Sequence, residues 1–227
     1  PSSASGSRSA APAAEVGGNA PDLFPMAIPP RFAFDGKVSL ATPPADIWVV
    51  DLTPSLGQEG GAPWPARALV DFYDALHYLG GPRGALRQCE FPIGRAEERE
   101  AVRSCRELEY SFPEVVAWVP SGAPLKPAAA LGLREVAFPV PGTDAAAPEE
   151  GPRDPKERLH AVVARVREAF DAGLVPKVHL VDATRADPAG WLLPLAAELR
   201  KASERADLPV KLRLADTSGA GLPFAEA

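Results

Sequence analysis

The stretch Val178-His-Leu-Val-Asp-Ala-Thr-Arg185 ends a short apolar run on an Asp-x-Thr step. The same ending recurs in Ile47-Trp-Val-Val-Asp-Leu-Thr53, and a closely related one in Val210-Lys-Leu-Arg-Leu-Ala-Asp-Thr217. Three further runs, Ala85–Phe91, Val115–Val119 and Leu133–Val140, are similarly short and are bounded by Gly, Pro or Glu. Short runs rich in β-branched and aromatic residues, with punctuation at both ends, suit strands buried on both faces in a parallel sheet.

Helical periodicity separates the runs. Leu69, Phe72, Tyr73, Leu76 and Leu79 share one face, as do Ala101, Cys105 and Leu108 in the next interval. A helix should start at Asp154, a capping residue followed by Pro155 in the first turn and Glu157 in a capping-box position. Leu159, Val162, Val163, Val166 and Phe170 form its apolar stripe, and Gly173 ends it. Leu192, Leu195, Leu199 and Ala202 mark a last helix, which Pro194 should kink unless it lies in the first turn. After Val115–Val119 the interval Pro120–Ala130 has room for one short turn. Strand-helix alternation with about six units predicts a right-handed parallel α/β architecture, either an open sheet or a barrel. A complete (β/α)8 barrel takes about 250 residues, more than the segment from Ile47 onward provides.

Three segments are expected. Residues 1–20 carry few bulky apolar side chains and are expected to be a disordered tail. Residues 21–46 are a Pro-rich lead-in whose Leu23, Phe24, Phe32 and Phe34 can pack on a body, and 47–227 hold the strand-helix domain. Of the 227 residues, 46% are hydrophobic, which suffices for one sizeable core. A net charge of −6 without a Lys/Arg cluster argues against nucleic-acid and anionic-membrane partners. No apolar run approaches the roughly 20 residues of a membrane span, and no signal-peptide core is evident, so a cytoplasmic protein is expected. Two cysteines, Cys89 and Cys105, allow no disulfide framework and are expected as buried thiols.

In either architecture ligands bind beyond the carboxyl ends of the strands. The candidate residues there are Asp51 and Thr53, then Arg87, Gln88 and Glu90, then Asp182, Thr184, Arg185 and Asp187, then Asp216, Thr217 and Ser218. Asp and Thr at these positions equally suit capping of the following helices. Other schemes fail on residue type. Leu79-Gly-Gly-Pro82 lacks the Lys and Ser/Thr of a phosphate loop, Pro120-Ser-Gly does not match a nucleophile elbow, and Glu149-Glu150 reads as a solvated loop.

The chain resembles the Re-type citrate synthases. The resemblance rests on Pro21-Asp-Leu-Phe-Pro25, Ile47-Trp-Val-Val-Asp51, His77-Tyr-Leu-Gly-Gly-Pro82 and Arg87-Gln-Cys-Glu-Phe91. Phe112-Pro-Glu-Val115, Asp182-Ala-Thr-Arg-Ala-Asp187 and Lys211-Leu-Arg-Leu-Ala-Asp-Thr-Ser-Gly219 extend it in order along the chain. That family groups with the homocitrate and isopropylmalate synthases, and the resemblance implies a partial (β/α)8 TIM barrel with parallel strands rather than an open sheet. It also implies a Claisen-type condensation of acetyl-CoA with a 2-oxo acid. Mg²⁺ or Mn²⁺ polarises the ketone there, and an arginine stabilises developing charge. The family holds its metal with an Asp on the first strand and a His-x-His motif on the seventh.

Here the first-strand signature D-T-T-x-R-D-G-x-Q becomes Asp51-Leu-Thr-Pro-Ser-Leu-Gly-Gln-Glu59. Ser55 replaces the arginine and Leu56 the metal-binding Asp, and leucine offers no oxygen to a hard cation. The fifth-strand H-F-E-D reads His179-Leu-Val-Asp182. The three histidines, His77, His160 and His179, form no His-x-His; the first two are expected to pack or face solvent, and His179 to be a core or pocket residue.

No metal ligand is therefore assigned, and no cofactor is expected for this chain. Glu90 and Arg185 remain as catalytic candidates, with Asp51, Thr53, Gln88, His179, Asp182, Thr184, Asp216 and Thr217 as substrate-binding candidates. One reading is a degenerate relative, inactive alone, that acts through binding acetyl-CoA, a 2-oxo acid or a partner chain. Another is an active condensing acyltransferase completed by a separate C-terminal segment, and a remnant with little function is a third. A six-strand barrel also leaves its first and sixth strands as edges, expected to lack inward charges, so a homo-oligomer or a complementary barrel fragment is expected.

Overall fold

Six of the apolar runs form strands, and the sheet they build keeps the order of the chain. The computed structural model describes residues 48–58, 62–80, 84–146, 154–217 and 219. The expected tail, the Pro-rich lead-in, Ile47, Glu59, Glu149-Glu150 and Ser218 lie outside the described residues. The strands are β1 (Val49–Asp51), β2 (Leu86–Pro92), β3 (Glu114–Trp118), β4 (Glu135–Pro141), β5 (Val175–Val181) and β6 (Lys211–Leu214). They lie in the order β1-β2-β3-β4-β5-β6, and every neighbouring pair is parallel. Sequential parallel order curled into an arc is the topology of a partial TIM barrel.

Helices α1 (Ala66–Gly80), α2 (Ala96–Glu107), α3 (Lys126–Ala130), α4 (Pro155–Asp171) and α5 (Leu193–Ala206) connect consecutive strands from β1 to β6. Their apolar stripes pack on one face of the sheet in two clusters. Leu69, Tyr73, Leu76, Ala101, Val102 and Cys105 meet Cys89, Phe91, Ala117, Val119 and Val136. Val162, Val166, Leu195, Leu199 and Ala202 meet Phe138, Val140, Val178 and Leu180. Both cysteines are buried free thiols, and burial pushes the Cys105 thiol up to about 12.

Local signals explain the helix ends. The Asp154 carboxylate accepts from the backbone N–H of Lys156 (2.8 Å) and Glu157 (3.1 Å), two donors that the first turn leaves orphaned. Glu98 reaches back to the Arg95 N–H at 2.8 Å at the start of α2. Gly173 closes α4 at φ +74°, a conformation strained for any side chain. Pro194 does lie in the first turn of α5, preceded by a π-helical turn at Pro188–Leu192. That turn buries Trp191 and was not foreseen from the sequence.

Two expected core positions differ. Leu79 is 76% exposed and Leu108 37% exposed, because both sit at helix ends past the last contact with the sheet. Among the described residues no helix is long and apolar enough to cross a membrane.

Candidate functional site

Strand alternation divides the sheet into two chemically different faces. Residues between the helix-packed positions point into the arc, and they include a set of polar ones: Gln88 and Glu90 on β2, Glu114 on β3, Glu135 on β4, Lys177 and His179 on β5, Lys211 and Arg213 on β6. A bulge sets Val49 opposite Leu86 but Val50 opposite Gln88, which turns Leu86 to the helices and Gln88 inward.

Glu90 is the hub. It is fully buried, and its carboxylate accepts from Arg213 through both oxygens, Nη1 to Oε2 at 3.0 Å and Nη2 to Oε1. Lys177 Nζ donates to Glu90 Oε1 at 3.3 Å and to Gln88 Oε1 at 2.6 Å. The network continues to Glu135, 3.7 Å from Lys177 and also paired with Lys211. Arg213 Nη1 lies 3.1 Å from His179 Nδ1, and the His179 ring meets Trp118 edge-on at 5.4 Å. Burial, and then the adjacent Arg213, lower the pKa of His179; burial likewise lowers that of Lys177 against the raising influence of Glu90 and Glu135. Desolvation favours the neutral forms of both bases.

Beside this network part of the interior is apolar. Val116, Trp118 and Ala137 form a buried cluster against which Leu56 packs, from the turn Leu56–Gln58 after β1. Ser55 is buried beside it and donates to Leu52 O at 3.1 Å. The resemblance implies a divalent cation at this end of the barrel, yet the residue standing for its carboxylate is a hydrocarbon packed on hydrocarbon. The Glu90 oxygens are already occupied by two cationic side chains. These residues do not fit a hard cation, which requires several free oxygen donors. Among the described residues no three His, Cys, Asp or Glu side chains come together as a metal site.

A second group occupies the carboxyl ends of β4, β5 and β6. Asp182, at φ +59°, accepts from Thr143 Oγ1 at 2.8 Å and lies 3.5 Å from Arg185 Nε. Its N–H donates to Thr217 Oγ1 at 2.9 Å, and Thr184 Oγ1 donates to Asp216 Oδ1 at 2.7 Å. Gly142 accepts the close approach of this loop, since a Cβ there would lie 2.6 Å from Val181 O.

The candidates named from the sequence thus fall into three places. Asp182, Thr184, Arg185, Asp216 and Thr217 meet at the mouth. Gln88 and Glu90 lie within β2, in the interior rather than at a strand tip, and His179 lies in the interior on β5, as a core or pocket residue would. Asp51 is in register with Cys89, on the helix-facing side, and its carboxylate accepts the Thr53 N–H at 2.9 Å. The Asp51–Thr53 pair is a local turn. Arg87 stacks between Trp48 (5.2 Å) and Phe112 (4.3 Å), and the Asp187 carboxylate caps the π turn through the Ala189 N–H (3.0 Å). His77 stacks on Tyr110 at 3.7 Å with Nδ1 2.7 Å from Phe112 O, and His160 is exposed.

Sequence reasoning missed Lys177, Glu135, Lys211 and Arg213 as interior residues. The edge β6 also carries the inward charges it was expected to lack, because Lys211 and Arg213 find Glu135 and Glu90 across the arc. The signal was the strict alternation Lys-Leu-Arg-Leu in Lys211–Leu214 and Lys-Val-His-Leu in 177–180.

No family model matches the chain. It is 32% identical over 204 residues to a citrate (Re)-synthase of Clostridium kluyveri, covering 89% of this chain and 45% of that protein. It is 32% identical over 206 residues to a citrate (Re)-synthase of Syntrophus aciditrophicus, covering 89% of this chain and 32% of the relative. A 2-phosphinomethylmalate synthase of Streptomyces hygroscopicus is 28% identical over 220 residues, 90% of this chain and 48% of its own length. The chain therefore spans less than half the length of these curated relatives.

Proposed function

We propose, from the premise that this chain belongs to the Re-type citrate synthase group of condensing enzymes, that it works by binding and does not itself perform metal-dependent condensation. The observation that carries this reading is Leu56 packed on Val116, Trp118 and Ala137. The resemblance implies a Lewis acid on the ketone oxygen, and that polarisation supplies several kcal/mol of transition-state stabilisation. A leucine at that position supplies no ligand. Glu90, whose charge is neutralised by Arg213 and Lys177, would have to give up both to bind a metal.

The test is calorimetric titration of the chain with Mg²⁺ and with Mn²⁺, beside a thiol-release assay using acetyl-CoA with oxaloacetate, 2-oxoglutarate or 2-oxoisovalerate. The expected result is no stoichiometric site tighter than roughly 100 μM, or about 5 kcal/mol of binding, and no release of CoA that a chelator abolishes. Either signal overturns the reading.

A second reading, an active condensing acyltransferase completed by a separate C-terminal segment, draws support from the mouth. Thr143, Asp182, Thr184, Arg185, Asp216 and Thr217 form a connected polar rim that a purely structural loop does not require. Metal-dependent CoA release that appears only on adding the C-terminal part of a relative would favour it.

A further inference from the structure

β3 and β4 first come into register at Ala117 and Val136. Toward the strand starts, before that step, a cavity of about 200 Å³ lies among Glu114, Val115, Leu133, Arg134 and Glu135, with Arg106 of α2 beside them. Asp182, Thr184 and Asp216 occupy the other ends of the strands, so this is a different place from the mouth. Sites for drug-sized ligands take about 300–1,000 Å³, so an occupant here is a molecule of few atoms.

The charges around this cavity are not matched to one another. Arg106 donates to Leu131 O, and the Arg134 side chain makes no hydrogen bond or ion pair among the described residues, so neither guanidinium has a carboxylate partner. Gly132 seats Arg106: a Cβ there would lie 2.7 Å from Arg106 Nη1, and the φ of +67° disfavours any side chain. Glu114 accepts only from the neutral Gln88 Nε2, at 3.3 Å. Glu135 is 9% exposed; Lys211 holds one of its oxygens, while Oε2 is buried without a hydrogen bond, 3.7 Å from Lys177 Nζ and beyond hydrogen-bond reach. A buried acceptor left without a donor is costly, and a ligand N–H can supply what the fold does not. Both arginines are exposed, Glu114 is half-buried and Glu135 buried, so the cations stand at the rim and the carboxylates deeper.

We infer that this cavity binds a small zwitterion, an α-amino acid, with its ammonium group on Glu114 and Glu135 and its carboxylate on Arg106 and Arg134. Val115 and Leu133 give an apolar wall for a short aliphatic side chain. Hydrogen bonds between charged groups are the strong class, and a ligand carrying one charge leaves the other set of side chains unmatched. The site uses neither Leu56 nor a metal, so metal titration and the test below can each fail alone.

The experiment titrates the full chain calorimetrically with valine, isobutylamine and isovalerate, which share a carbon frame and differ in charge. Valine should bind at least about tenfold more tightly than either half-charged analogue, a preference that weakens at high salt. Arg134→Gln, at an exposed position, should keep its thermal transition and bring valine down toward the affinity of isobutylamine. Glu114→Gln should bring it down toward that of isovalerate. Equal affinities for the three compounds, binding of none, or valine binding that neither substitution changes would overturn the inference.

Discussion

Glu90→Ala should destabilise the chain by about 3 kcal/mol, through the cations it leaves behind more than through the contact it removes. Glu90 is fully buried and neutralises Arg213 and part of Lys177. Breaking a buried pair by removing one partner costs about 3–5 kcal/mol, because the surviving charge remains out of water. The lower end applies here. Lys177 keeps Gln88 Oε1 at 2.6 Å and Glu135 at 3.7 Å, whereas Arg213 keeps only His179 in its place. For a domain of this size the loss corresponds to a melting temperature lower by on the order of 10 °C. Circular dichroism melts of the wild type, Glu90→Ala and a triple variant, Glu90→Leu with Lys177→Met and Arg213→Met, separate the causes. The triple variant should recover most of the loss, since apolar replacement of a whole buried network is often neutral or better. A Glu90→Ala protein within about 1 kcal/mol of wild type would show that water reaches these charges, and the account of a sealed interior would be wrong.

Three other perturbations probe separate parts of the molecule. His179 has its pKa lowered by burial and by Arg213, with Glu90 opposing and Trp118 covering the ring, so the unfolded chain takes up its proton first. Stability should therefore fall as pH drops below about 6.5 toward the folded value, and His179→Gln should flatten that slope in pH-dependent melts; an unchanged slope would remove His179 as its source. Asp154→Ala should cost about 1 kcal/mol, or 2–4 °C, by orphaning the Lys156 and Glu157 N–H groups, and a melt that does not move would show that water caps α4 equally well. Leu56→Asp should lose about 2 kcal/mol by placing a carboxylate against Val116, Trp118 and Ala137. Mg²⁺ should not restore it; a rise in melting temperature with added Mg²⁺ would mean that neighbouring donors complete a site after all.

The strands were legible because burial on both faces, or on one face of a strict alternation, leaves compact runs between Gly and Pro. Their ends were less so: β5 begins at Val175 rather than Val178, because Lys177 breaks the run while pointing into a polar interior. That interior was the hard part. Each of its charges is stable only because another strand, far away in sequence, presents the opposite charge at the same depth. Glu90 and Arg213 are 123 positions apart, a separation that no local pattern encodes. The loss of an acid at Leu56 was readable from its motif, but the cluster it joins exists only once β3 and β4 lie side by side. The mouth residues were found because Asp-x-Thr endings recur at equivalent strand ends, whereas Thr143, on a different loop, carried no such pattern.

The agreement of strand order with chain order has a consequence for how the described sheet comes apart. Each strand's backbone bonds reach only the strands before and after it in the chain, but its buried side chains reach farther, with Arg213 on β6 tied to Glu90 on β2 and Lys211 on β6 to Glu135 on β4. β1 and β6 each have one neighbouring strand, and the strands between them have two. Peeling β6 away therefore breaks more than its one ladder, since Glu90 and Glu135 lose cationic partners with it. The charged pairs thus clamp an arc whose β3–β4 seam is joined by the Ala117–Val136 and Trp118–Ala137 partners and by the Val119 N–H to Ala137 O bond.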